Sequence, residues 1–110
     1  TYSNAAKQRL LGVPGETLDA HGAVSQPVVE AMVEGACRDS GARLGVSVSG
    51  VAGPDGGSAE KPVGTVWFAF AVDGRLEADR QRFAGGRDEV RQAAVVHALE
   101  GLIRRLESLT

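Results

Sequence analysis

The sequence is poor in cysteine and in aromatic residues, and neither sign of charge is in excess. Its one cysteine, Cys37, has no internal partner, so a disulfide-stapled fold is excluded, and no Cys or His cluster has metal-ligand spacing. Cys37 reads as a small buried hydrophobe on a helix face. Twelve Lys and Arg are scattered among fourteen acids, for a formal net charge of -2, and this lacks the basic footprint of a nucleic-acid binder. Long apolar runs are missing as well. The stretch from Val63 to Val72 falls far short of the ~20 residues that cross a bilayer, and no basic-then-apolar signal segment opens the chain. These absences point away from nucleic acid and membrane as partners and towards a cytoplasmic protein. At 110 residues, 43% hydrophobic and 24% charged, the composition suits one globular domain, 1–110.

What the sequence does have is glycine. Residues 49–64, "SGVAGPDGGSAEKPVG", hold five glycines and two prolines between two apolar runs. Structureless loops longer than about 12 to 15 residues are uncommon in compact domains and are usually functional or disordered. The flanking runs favour function here.

Around that loop the periodicities define elements. Ser3 or Asn4 can cap a short helix to about Leu11, with Gly12 past its end, and a turn follows at "VPGE". Ser25 caps the next helix, Pro27 sits in its first turn, Val28/Val29, Met32/Val33 and Ala36/Cys37 recur at helical spacing, and Gly41 ends it. "ARLGVSVSG" alternates as a strand, with Leu44, Val46 and Val48 on one face and Ser47 and Ser49 on the other. "VGTVWFAFAV" is the continuous apolar run of a strand covered on both faces. Asp73-Gly74 signals a two-residue hairpin turn into the polar edge strand "RLEADRQRF". A last helix starts near Asp88, with Val90, Ala94, Ala98, Leu102 and Leu106 as its buried stripe and Arg91, Arg104, Arg105 and Glu107 in solvent. The order predicts an α/β fold, a three-layer α/β/α sandwich around a mixed sheet. Three strands are few for so apolar a central one, so further strands are expected from an absent N-terminal segment or a partner chain.

Several residues are candidates for chemistry. Glycines at 50, 53, 56 and 57 let backbone amides approach a ligand and cradle a phosphate or oxyanion, although their spacing fits neither a dinucleotide fingerprint nor a Walker loop. Ser49 stands at the loop's mouth at the end of a buried strand, where its hydroxyl can face a ligand or bond its own loop backbone. Tyr2 and Lys7 flank one helix turn, and a lysine becomes a useful base where burial or a nearby cation lowers its pKa. Arg87, just before the last helix, can hold an anion together with the free helix amides. Lys61 is a loop lysine that can steer anions, while His21 reads as a turn residue and His97 as a helix-surface or boundary residue.

Taken together, "TYSNAAKQRLLGV", "HGAVSQPVV", "VSVSGVAGPDGGSAEKPVGTVWFAF" and "FAGGRDEVR" closely resemble the C-terminal domain family of CinA, the competence-damage-inducible protein, whose stand-alone form is nicotinamide-nucleotide amidohydrolase. The resemblance covers essentially the whole chain. It implies hydrolysis of the carboxamide of nicotinamide mononucleotide to nicotinate mononucleotide and ammonia, with no metal or other cofactor, by a homodimer whose edge lies at or near strand 75–83. Tyr2, Lys7 and Ser49 match the family's tyrosine, lysine and loop-opening hydroxyl, and are the expected catalytic residues. Asn4, Gly50, Ala52, Gly53 and Arg87 are the expected substrate-binding ones. The family's Ala-Glu-Ser and Thr-Gly-Gly segments, which carry the presumed nucleophilic serine, are not in this sequence. The chain, opening on Thr1, reads as the C-terminal two thirds of such a domain, without its N-terminal strand and helices. The implied mechanism is of serine-lysine type: the serine attacks, Lys7 takes its proton, and Tyr2 and Ser49 relay it to ammonia. The alternatives are a different amide substrate, or a non-catalytic module that binds a nucleotide or a competence- or DNA-damage-associated partner.

Overall fold

The computed structural model describes residues 24–51 and 63–108. Two helices enclose a three-stranded sheet: α1 (Gln26–Ser40), β1 (Leu44–Gly50), β2 (Thr65–Val72), β3 (Arg75–Arg82) and α2 (Arg87–Ser108) in chain order. The strands lie in the order β1-β2-β3. The expected helix at residues 3–11, the "VPGE" turn, His21 and Lys61 lie outside the described residues.

Each boundary has a local cause. Ser25 precedes α1 in extended conformation, Pro27 occupies its first turn, and Gly41 closes it at φ 72° by donating its amide to the Cys37 carbonyl. Asp73 and Gly74 both have positive φ, 49° and 85°, as a two-residue hairpin between right-twisted strands requires. So short a turn makes β2 and β3 antiparallel. β1 and β2 are antiparallel too, so the parallel pairs of the expected mixed sheet have no counterpart among the described residues.

β2 is the centre of the sandwich, and its alternation feeds two cores. Val66, Phe68 and Phe70 pack against Val90, Ala94 and Ala98 of α2. On the other face Ala69 and Ala71 meet Val29 and Val33 of α1. The three layers are therefore α1, sheet and α2, with β2 covered on both sides as its apolar run predicts. Close approach makes these contacts possible: a β-carbon at Gly101 of α2 would fall 2.4 Å from the Phe70 ring.

Two expectations for α2 are corrected. Leu106 is 53% exposed, while Arg105, expected in solvent, has a side chain only 19% exposed. Its guanidinium lies 3.8 Å from the centre of the Phe70 ring, and Nη1 donates to the Gly101 carbonyl at 3.0 Å. The missing bulk of Gly101 lets Phe70 rise to the helix, and the planar cation covers it.

Candidate functional site

β1 brings Ser49 to one end of the sheet, and the hydrogen bonds there show which elements share that end. The Val51 amide donates to the Thr65 carbonyl at 2.8 Å, the Gly64 amide to the Val51 carbonyl at 2.6 Å, and the Phe83 amide to the Gly64 carbonyl at 2.9 Å. The end of β1, the start of β2 and the end of β3 are thus tied together beside the glycine-rich segment. Gly50 is exposed there.

The alternation along β1 is as expected, but burial runs opposite to polarity. Ser47 and Ser49 are each 8% exposed, whereas Val46 and Val48 are half-buried. The serine face is the one beneath α1, and the Ser47 hydroxyl is held there by donating to the Val29 carbonyl. Ser49 lies two residues further along the strand, a step of about 6.6 Å. Four residues back along α1 from Val29, about 6 Å, is its start. Ser49 therefore sits below the N-terminal end of α1. Among the described residues the buried polar side chains are Ser25, Ser47, Ser49 and Thr65, all from this side of the sheet.

The N-terminal end of α1 lies above them. The residue at its cap position makes no side-chain cap hydrogen bond, and its first turn holds no acid. Free amides and the positive end of the helix dipole favour negative charge at such a place. Arg87 stands at the same end of the sheet but on the opposite face, as the exposed first residue of α2. Just before it, Val63, Arg82, Phe83, Ala84 and Gly85 line an open cavity of about 300 Å³. The described structure therefore brings Ser49 and Gly50 together and sets Arg87 in another layer. Tyr2, Asn4, Lys7, Ala52 and Gly53 lie outside the described residues.

One constellation has no counterpart in the sequence reading. His97 of α2 hydrogen-bonds through Nε2 to Oδ2 of Asp79 on β3, and Gln81 donates to the other oxygen at 2.9 Å. Phe68 and Phe83 pack around the imidazole, with ring centres 4.4 and 6.2 Å away. Burial pushes the Asp79 carboxyl up, but hydrogen bonds from His97 and Gln81 and the charges of His97 and Arg105 outweigh it and leave the pKa lowered. Arg105 also approaches Glu77, Nε to carboxylate 3.3 Å, without a formed hydrogen bond from that nitrogen. Both pairs fasten α2 to the edge strand. No three His, Cys, Asp or Glu side chains among the described residues are grouped to hold a metal ion. No described helix is long and apolar enough to cross a membrane.

The sequence profile described as "CinA C-terminal domain" matches residues 1–106. The chain belongs to this family. Among CinA-domain relatives, the nicotinamide-nucleotide amidohydrolase PncC of Pseudomonas putida is 58% identical over 104 residues, covering 94% of this chain and 65% of the relative. The protein of the same name from Enterobacter agglomerans is 57% identical over 105 residues, again 94% of this chain and 64% of the relative. The chain thus spans somewhat under two thirds of the length of these relatives. Its fold matches the crystal structure of competence damage-inducible protein A from Klebsiella pneumoniae with a TM-score of 0.91 at 43% identity, over 97% of this chain and 66% of that one. The competence/damage inducible protein CihA of Agrobacterium tumefaciens gives 0.89 at 48% identity, over 94% and 64%. The α/β sandwich read from the sequence is the CinA-domain architecture.

Proposed function

We propose that this CinA domain takes part in hydrolysing the carboxamide of nicotinamide mononucleotide to nicotinate mononucleotide and ammonia. The observation that carries this reading is the 58% identity to a nicotinamide-nucleotide amidohydrolase across 94% of the chain. The site geometry supports it. Ser49 is buried at the mouth of the glycine-rich segment, under a helix start that carries no acid and so suits an oxygen gaining negative charge.

In this reading a serine outside this sequence attacks the carboxamide carbon, Lys7 accepts its proton, and Tyr2 and Ser49 pass it to the departing ammonia. Backbone amides at Gly50, Ala52 and Gly53 stabilise the oxyanion, a contribution whose loss typically costs about 10² to 10³ in rate. Asn4 holds the nucleotide, and Arg87, in the opposite layer, is not assigned to it. The active form is a homodimer in the cytoplasm.

Ammonia release from nicotinamide mononucleotide is the deciding assay, run on the complete enzyme that supplies the attacking serine and on its Lys7→Ala and Ser49→Ala variants. Turnover in the wild type that falls at least 100-fold in Lys7→Ala supports the serine-lysine scheme. Turnover unchanged in that variant removes lysine from it. Nucleotide binding without ammonia from any preparation favours the non-catalytic module, and release from a different amide in a substrate panel moves the chemistry to that amide.

A further inference from the structure

Alternation along β3 sorts its charges onto two faces. Glu77 and Asp79 stand opposite Phe70 and Phe68 in the ladder, on the α2 face, and are engaged by Arg105 and His97. Arg80 and Arg82 stand opposite Trp67 and Thr65, on the face that Ser47 and Ser49 share beneath α1. Both arginines are exposed, and neither forms an ion pair with a described residue. The Arg80 guanidinium lies 5.8 Å from the centre of the Trp67 ring, so the indole draws it over the sheet rather than out to solvent. Ser49, Trp67 and Arg80 are direct ladder neighbours and form one row across the three strands. Two interstrand spacings separate the ends of that row, about 10 Å. Charge on either face would guard an edge strand against pairing. That role leaves unexplained why both unpaired cations share the Ser49 face.

We propose that Arg80 and Arg82 form the phosphate subsite for the nucleotide whose carboxamide reacts beside Ser49. This rests on the hydrolase reading, in which the substrate carries its negative charge on the phosphate. Arg87 is set in the opposite layer, so the cations on the face of Ser49 are the ones placed to meet that charge. Each guanidinium presents paired N–H donors that match phosphate oxygens bidentately. Two residues apart on one face of a strand, about 6.6 Å, the two forks can close on one phosphate. The row from Ser49 to Arg80 matches the span of an extended mononucleotide from carboxamide to phosphate, and half-buried Trp67 is the floor between them. The phosphate lies away from the reacting bond and is unchanged by the reaction. The arginines therefore hold ground state and transition state alike, which sets KM rather than kcat.

Steady-state ammonia release by the complete enzyme tests this, with nicotinamide mononucleotide and with nicotinamide riboside, which lacks the phosphate. The proteins compared are the wild type, the double variant Arg80→Gln/Arg82→Gln, and Arg75→Gln, which removes a cation from the opposite face of the same strand. Losing charge-assisted hydrogen bonds to the phosphate should raise KM for the nucleotide by about tenfold or more in the double variant, with kcat lowered far less. The wild type should favour the nucleotide over the riboside, the double variant should lose that preference, and Arg75→Gln should follow the wild type. A nucleotide KM unchanged in the double variant, with the wild type active, overturns the subsite and leaves the hydrolase reading standing. A fall in kcat at constant KM, or an equal rise in KM for both substrates, also overturns it, because neither depends on the phosphate. A wild type that releases no ammonia from the nucleotide overturns the hydrolase reading together with this inference.

Discussion

At Gly64 the backbone takes φ 91°, and a β-carbon added there would lie 2.1 Å from the Phe83 carbonyl oxygen. Both constraints act on one residue, and that residue bonds Val51 through its amide and Phe83 through its carbonyl. Its geometry therefore sets how β1, β2 and β3 meet beside Ser49 and Thr65. Gly64→Ala is expected to destabilise the fold by about 2 kcal/mol or more, since left-handed backbone alone costs an alanine about 1–2 and the clash is with backbone that cannot rotate away. Denaturant unfolding measures it. A midpoint within error of the wild type would mean that the strands do not converge on this residue as described.

At the scale of elements, α2 is fastened to β3 by polar contacts across an edge strand, and this makes its docking sensitive to acid. The Asp79 carboxyl has its pKa lowered in the folded protein. The sign follows from linkage: a carboxylate with a depressed folded pKa contributes stability above its unfolded value, about 3.9, and loses that contribution as pH falls through the lower folded value. Unfolding free energy measured from about pH 6 down to about pH 2 should therefore fall more steeply for the wild type than for Asp79→Asn, and the two curves should converge at the acid end. Parallel curves would show that the His97–Asp79 contact adds nothing to stability. This contact was hidden in the sequence because its partners are eighteen residues apart, on elements whose relative placement no local pattern encodes. α1, the hairpin and β2 were legible because Pro27, Gly41, Asp73-Gly74 and an apolar run of strand length each act locally. Ser49 was legible for the same reason, as the last alternating residue before a glycine-rich segment. Arg105 was misread because apolar residues surround α2, so periodicity alone could not choose between Arg105 and Leu106 for the inner face.

That ambiguity has a consequence for the whole molecule. Val95, Val96, Leu99, Ile103 and Leu106 are each more than half exposed, and all lie on the side of α2 turned away from the sheet. Val95, Leu99, Ile103 and Leu106 step by four, four and three along the outer face, the spacing with which one helix packs against another, and Glu100, Arg104 and Glu107 flank the stripe. An antiparallel copy of α2 meets this seam with the same apolar residues, and at a formal net charge of -2 the repulsion between copies is small. Completing the burial of five half-exposed aliphatic side chains per copy is worth about 1 kcal/mol each, or on the order of 10 kcal/mol for a pair of copies. Association costs about 4–15 kcal/mol, so pairing through this face is predicted to be weak and dependent on protein concentration. The stripe favours α2, rather than the edge of β3, as the face through which the proposed homodimer forms. Sedimentation velocity over a hundredfold range of concentration should show a monomer-to-dimer shift in the wild type. Leu99→Glu and Ile103→Glu, both on solvent-facing positions, should remain monomeric with the Tm hardly changed. A wild type that stays monomeric throughout, or a dimer that persists in both variants, would take the partner off this helix.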